Sequence, residues 1–178
     1  MGGPVVMTDP TGDRTIIPMR WGFPPPPHLG TKTVVTNVRN TNSSWWKPYL
    51  RPEFRCLVPV TSFSEYDHRT KPPTCTWFAQ DESRPLMFFA GIWRSWEGIR
   101  GTKAEPVDGN HMVFSFLTTE PNSVVAPVHP KAMPVLLLTE ADRETWLTGS
   151  LEDALALQRP ASDDAVMVVA TGLKQDVG

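Results

Sequence analysis

Short runs of apolar and β-branched residues, cut at close intervals by turn residues, set the pattern of this chain. Seven of them read as strands: Arg55–Val60, Phe63–Asp67, Thr74–Gln80, Leu86–Trp93, Met112–Thr118, Met133–Leu138 and Ala165–Ala170. Each is rich in Val, Phe, Trp, Thr or Leu and bounded by turn-forming residues. Ahead of them, Val5–Met7 and Thr15–Gly22 flank a turn at Thr11–Asp13 and predict a hairpin. The close spacing favours antiparallel pairing. The 19 prolines and 12 glycines supply the interruptions, and neither an internal repeat nor a linker long enough to separate domains is visible.

Helical signals are fewer and shorter. Thr139 is placed to cap a helix over Glu140–Leu147, with Glu140 and Asp142 in its first turn and Gly149 after its end. Leu151, Ala154 and Leu155 give a second helix an apolar stripe. Asn122 is expected to cap a short turn through Ala126, ended by Pro127 because the residue before proline avoids the α region. That turn leads into His129. Trp45, Trp46, Tyr49 and Leu50 cluster around Pro48 as core anchors rather than a ligand box. Pro24–Pro27 reads as polyproline II, either a stiff surface loop or a docking segment for a proline-binding partner.

A length of 178 residues with 40% hydrophobic content fits one domain over residues 1–178. No apolar run reaches the roughly 18 residues of a membrane span, and the N-terminus lacks the pattern of a secretory signal. The expectation is a soluble cytoplasmic protein. Cys56 and Cys75 form no C-x-x-C pair and sit in apolar segments, so they read as reduced core residues rather than a disulfide or metal site. The net charge of −2 conceals an asymmetry: residues 1–71 carry nine Lys/Arg against five Asp/Glu, and residues 72–178 eight against fourteen. A local basic face can attract phosphate on an acidic protein, although two differently solvated surfaces explain the charge equally well.

Three polar sites stand out in apolar or aromatic surroundings: Asn37 with Arg39, Glu65, and His129. Asn37 and Arg39 alternate in Val34–Asn40 and share a face, the arginine offering a forked donor to phosphate. The plain alternative is a solvated edge strand. Alternation also puts Phe63, Glu65 and Asp67 on one face; if it faces inward, burial raises the Glu65 carboxyl toward proton-transfer work. A strand-end carboxylate paired with an arginine is the commoner role. His129 lies in a proline-stiffened loop and titrates near neutrality, although loop histidines are more often merely hydrogen-bonded. His28, His68 and His111 carry no assigned chemistry.

In order along the chain, Met19-Arg20-Trp21-Gly22-Phe23, Asn37-Val38-Arg39, Arg55-Cys56-Leu57-Val58-Pro59, Phe63-Ser64-Glu65-Tyr66, Ala90-Gly91-Ile92-Trp93, Thr118-Thr119-Glu120-Pro121-Asn122 and His129 through Met133-Pro134 resemble the SOS-response-associated peptidase (SRAP) family. Its members recognise abasic sites in single-stranded DNA. The resemblance runs from about Val5 to Leu147 and implies an α+β fold on a mostly antiparallel, partly closed, barrel-like sheet with a few short helices. It implies a role in DNA repair within the SOS response to DNA damage, a nucleoid-associated location when bound to DNA, a monomer, and no cofactor or metal. In the family a cysteine follows the initiator methionine, and its amine and thiol trap the ring-opened abasic aldehyde as a thiazolidine, a covalent DNA–protein crosslink. Carried over by motif, Asn37 positions the cysteine or the sugar, Arg39 binds phosphate, Glu65 shuttles protons, and His129 assists ring opening and stabilises the adduct. Trp21 and Tyr66 become stacking surfaces for bases, and Thr118, Thr119 and Lys131 become backbone contacts.

The sequence departs from the family in three places. Gly2 stands where the cysteine should be, so a chain begun late is expected, and residues 1–178 alone are expected not to crosslink. His129 is four residues from Met133 rather than three, with Lys131 where an arginine often stands. Tyr66 replaces a frequent tryptophan. Two other functions fit the residues: a single-stranded-DNA-binding module without catalysis, and a peptidase acting on its own N-terminus or on other chains. No nucleophile paired with His129 supports the latter.

Overall fold

In the computed structural model, which describes residues 2–26, 30–31, 33–102 and 104–176, the expected hairpin opens the chain. Strands β1 (Gly2–Thr8) and β2 (Arg14–Trp21) pair antiparallel from Gly2↔Arg20 to Thr8↔Arg14. The Asp9 carboxylate fixes the turn by accepting the backbone N–H groups of Thr11 and Asp13 at 2.8 and 3.0 Å, the aspartate turn geometry that such a residue favours. Gly22 then bends the chain at φ +100°, where a Cβ would lie 2.6 Å from Val34 Cγ2. Only glycine fits that bend.

Strands β3 (Asn37–Val38), β4 (Arg55–Val60), β5 (Phe63–Asp67), β6 (Thr74–Ala79), β7 (Met87–Gly101), β8 (Pro106–Thr119), β9 (Met133–Pro134), β10 (Leu136–Leu137) and β11 (Met167–Thr171) follow. The order β7–β4–β1–β2–β8 closes on itself through a β7–β8 pairing. The α+β class of the sequence reading is observed, but the ring is fully closed rather than partly so. It is also mixed: β8 runs parallel to both β2 and β3. In each case a connection long enough to return to the same end of the sheet separates the partners.

Alternation around the ring gives it two apolar faces. Val5, Met7, Met19, Cys56, Val58, Phe89 and Phe114 pack in one cluster inside it, while Ile16, on the outer face of β2, is 69% exposed. Elsewhere the outer face is covered. Leu57, Ala90, Ile92, Val113 and Leu117 pack against Trp46, Leu50, Trp146 and Leu147, the last two from helix α1 (Glu140–Thr148). Thr139 and Asp142 form a reciprocal capping box at its start, and Ser150 caps α2 (Leu151–Ala156). A second sheet, β11–β6–β5, docks through Phe63, which stacks on Phe78 at 5.3 Å and meets Phe89 edge-on at 5.9 Å.

Several expected elements are redrawn. Strands β7 and β8 run on as a ribbon to Gly101 and Pro106, because backbone pairing persists where polar Ser95 and Glu97 end the apolar pattern. Inside that ribbon the ring of Trp96 lies over Gly98, where a Cβ would come 2.4 Å from it. The run 133–138 divides at Val135, whose N–H bonds Leu117 O at 2.9 Å and whose C=O accepts Ala90 N–H at 3.1 Å. It therefore pairs first with β8 and then with β7, and Pro134 has no N–H to continue one ladder. Residues 163–165 form a 3-10 turn before β11. The turn after Asn122 does not stop at Pro127: the N–H groups of Val128 and His129 both reach Val125 O, at 3.0 and 2.9 Å. Proline can occupy such a turn because its missing N–H is not required there. Cys56 and Cys75 are buried free thiols, as expected. Trp46 and Leu50 are core, also as expected. Pro27 and His28 lie outside the described residues.

Arg55 is 1% exposed. Its guanidinium donates to Leu50 O at 2.7 Å, Trp146 O at 3.1 Å and Gly149 O at 2.8 Å, and lies 5.6 Å from the Trp146 ring centre. It thus satisfies carbonyls at the C-terminal end of α1, where a cation also meets the helix dipole. Replacing it by methionine orphans three carbonyls. Arg55→Met is expected to lower unfolding free energy by about 2–4 kcal/mol in urea titrations, with Arg55→Lys recovering only part because an ammonium cannot reproduce the fork.

Candidate functional site

The Asn37–Arg39 segment is held against the end of β8 by bonds from other elements to it and to the residues on either side. Ser115 Oγ donates to Val35 O at 2.7 Å, and Trp21 Nε1 donates to Thr36 O at 3.1 Å. Gln158, just past α2, donates from Nε2 to Arg39 O at 2.9 Å and to Thr118 O at 3.0 Å. Its Oε1 accepts the Thr41 hydroxyl at 3.1 Å. Asn37 and Arg39 stay exposed while Val38 between them is fully buried, so one anchor presents two polar side chains. Arg39 Nη2 donates to Glu120 Oε1 at 2.6 Å. Trp21 stacks on Phe116 at 5.4 Å and 16°, which leaves it half-buried beside this edge.

Glu65 and His129 come together from different parts of the chain. Glu65 is carried by β5, two residues beyond the buried Phe63. His129 ends the turn organised by Asn122, which is 6% exposed. The Asn122 Oδ1 accepts Val125 N–H at 3.0 Å, and its Nδ2 donates to Ala161 O and Ser162 O, each at 3.3 Å. His129 Nδ1 lies 2.9 Å from Ala132 O and 4.0 Å from Glu65 Oε2. Facing a carbonyl, Nδ1 carries the proton, which leaves Nε2 as the acceptor in the neutral ring.

The two carboxylates of β5 are driven apart. Burial pushes the Glu65 carboxyl above its ordinary value, and the neighbouring His129 offsets part of that rise. Hydrogen bonds from Arg69 draw Asp67 down to about 2. Two acids two residues apart thus have opposite tendencies, an arrangement suited to proton transfer by the first.

The remaining candidate residues are placed as follows. Tyr66 is 47% exposed, on the β5 edge. Lys131 is exposed in the loop between His129 and β9. Thr118 and Thr119 are 6% and 2% exposed and pair with Pro134 and Met133 of β9. Both residues are buried rather than facing solvent, and their backbone links β9 and Gln158 to the end of β8. Among the described residues no hydrogen bond joins Asn37 to Glu65 or His129. Sequence reasoning missed Glu120, Gln158 and the Ala132 carbonyl, since nothing local marks a partner tens of residues away. His111, given no chemistry, is a buried strut with Nε2 at 3.0 Å from Gly98 O. No group of three or more His, Cys, Asp or Glu able to hold a metal occurs among the described residues. No described helix is long and apolar enough to cross a membrane.

The ring is closed and mixed, with Glu65 and His129 4.0 Å apart and, separately, Arg39 paired with Glu120 just past the end of β8. The SOS response associated peptidase (SRAP) family matches residues 2–177, and the chain belongs to that family. It is 27% identical over 149 residues to the abasic site processing protein YobE of Bacillus subtilis (strain 168), covering 79% of this chain and 62% of that protein. The chain thus spans less than two thirds of that relative's length. Crystal structures with the same fold include a protein from Bordetella bronchiseptica (TM-score 0.73, 20% identity, 98% of this chain and 84% of that one). Another comes from Bacteroides thetaiotaomicron (TM-score 0.71, 20% identity, 94% and 72%).

The raised Glu65 carboxyl has a signed consequence for stability. A group whose folded pKa is raised stabilises the fold below its ordinary value, 4.5 here, and loses that contribution as pH rises through the folded value. Glu65→Gln is therefore expected to match or exceed the wild type in urea midpoint at pH 7, with the advantage shrinking or reversing at pH 4. Equal midpoint differences at both pH values would show that Glu65 titrates normally.

Proposed function

We propose that this chain recognises single-stranded DNA containing abasic sites as part of the response to DNA damage. The observation that carries the reading is the Glu65–His129 pair, 4.0 Å apart and positioned by separate elements, in a fold that also leaves Arg39 and Asn37 exposed. Membership of the family and similarity to an abasic site processing protein support it. In this reading Arg39 receives a phosphate, Asn37 orients the sugar or the nucleophile, and His129 Nε2 takes a proton as the sugar ring opens. Glu65 then exchanges protons with the resulting aldehyde. Trp21 and Tyr66 stack on bases beside the lesion, a contact worth roughly 1–3 kcal/mol per base. Lys131 adds a phosphate contact, and Thr118 and Thr119 act by fixing the edge.

In a form that presents an N-terminal cysteine, its amine condenses with the aldehyde carbon to an imine, releasing water. The thiolate then adds to that carbon and closes the thiazolidine. A polypeptide beginning Met1-Gly2 offers no such thiol. Cys56 cannot replace it, because burial pushes its thiol well above the ordinary value and hides it from solvent. A peptidase reading finds no support in the geometry: the protein partner of His129 is a carbonyl and its neighbour a carboxylate, and among the described residues no hydroxyl or thiol hydrogen-bonds it.

Residues 1–178 are expected to bind abasic single-stranded DNA non-covalently, with affinity falling steeply as salt rises, and to give no heat-stable adduct on denaturing gels. Arg39→Ala weakens binding and flattens the salt slope by about one charge. A covalent band, or binding indifferent to Arg39, would overturn the assignment. Since Glu120 competes with phosphate for Arg39, Glu120→Gln is expected to tighten binding a few-fold in the same titration.

A further inference from the structure

A second feature lies where the chain leaves β3. Pro25, Trp45, Tyr49, Arg94 and Trp96 line a groove of about 650 Å³, within the range of small-ligand sites. Trp45 packs on Trp46 with ring centres 4.1 Å apart, and Trp96 lies over His111 at 6.1 Å. Both indoles are half-buried. The Arg94 guanidinium sits 5.2 Å from the Phe23 ring and 5.4 Å from the Tyr49 ring, and Nη1 donates to Tyr49 Oη at 2.8 Å. Arg94 Nε is buried without a hydrogen-bond partner. Among the described residues no carboxylate pairs with this cation.

We propose that this groove is a nucleotide subsite, binding a base and its phosphate from the single strand that runs past Arg39. The inference rests on the reading of Arg39 as a strand contact and says where the flanking nucleotides go. The chemistry selects the occupant. Indole and phenol faces beside an uncompensated, aromatic-backed guanidinium match a flat base carrying an anion. An apolar peptide would leave the charge unanswered, and a basic one would be repelled. Trp45 follows Arg39 by six residues, and the intervening turn is fixed by Ser43 N–H to Asn40 O at 3.2 Å and Trp46 N–H to Ser43 O at 3.0 Å.

The test is fluorescence anisotropy with oligothymidylates of four and twelve nucleotides on the whole chain. Wild-type protein is expected to bind the twelve-mer more tightly than the tetramer. Trp96→Leu and Arg94→Gln each weaken the twelve-mer at least about fivefold and erase that difference, while Arg39→Ala weakens both oligomers. Because Arg94 also packs on Phe23, Trp45→Leu serves as an independent variant, with thermal melts confirming the fold of each. Groove variants that bind the twelve-mer like wild type overturn the subsite, and the Arg39 effect then leaves the abasic-DNA reading standing. Loss in the groove variants with no Arg39 effect keeps the groove and overturns that reading. No binding of either oligomer overturns the subsite.

Discussion

Strand β8 is the constraint on which the rest of this protein depends. Within residues 113–119 it bonds β2, β3, β7 and β9, so the ring closes and the Asn37–Arg39 strand and the strand that follows the His129 loop are both tied to one segment. At the seam Gly91 pairs with Cys56 on one side and Phe116 on the other. A Cβ there would lie 2.8 Å from Cys56 Sγ. Trp146 Nε1 reaches the carbonyls of Cys56 and Gly91 at 3.0 and 3.1 Å, so the outer helix is attached directly to the line of closure. Arg55 completes that attachment by donating to three carbonyls from Nε and Nη1, which an apolar side chain could not do.

The candidate chemistry uses rigidity of this kind at two places. His129 is given a defined tautomer by a backbone carbonyl rather than by a carboxylate, which leaves Glu65 free to hold a raised proton affinity of its own. Arg39 is exposed at its guanidinium and fixed at its main chain, so it can change partners without moving the strand that carries it. The excess of basic residues in the first 71 positions is consistent with that edge meeting an anion, but it does not locate it. Only the fold brings Arg39 beside Glu120.

Much of the architecture was legible in sequence, for physical reasons. β4 and β5 occur with the boundaries that their Val, Phe and flanking turn residues imply, and Thr139 caps α1 because a threonine three residues ahead of an aspartate can exchange bonds with it. The closure of the ring was not legible, because pairing between strands distant in sequence leaves no periodic trace. Nor was the crossover at Val135, where one apolar run serves two ladders. The turn to His129 was read too short because Pro127 was judged by what it forbids before it rather than by what it permits within a turn. Glu65 and His129 were individually ordinary residues; their proximity is a property of the docking of Phe63 and the bracing of Asn122. The partners Glu120, Gln158 and Ala132 act through tertiary contacts that no local motif announces.

Gln158 has a consequence for how the molecule is made. Synthesis proceeds from the N-terminus, and domains fold as their parts emerge. β3 and β8, which carry Arg39 and Thr118, have left the ribosome well before residue 158 follows them. Until then the Arg39 carbonyl lacks the amide that ties it to Thr118 and Thr41. The Arg39 edge is thus finished by a side chain that appears 40 residues after Thr118, and a growing chain displays its arginine before it has fixed the place where that arginine stands.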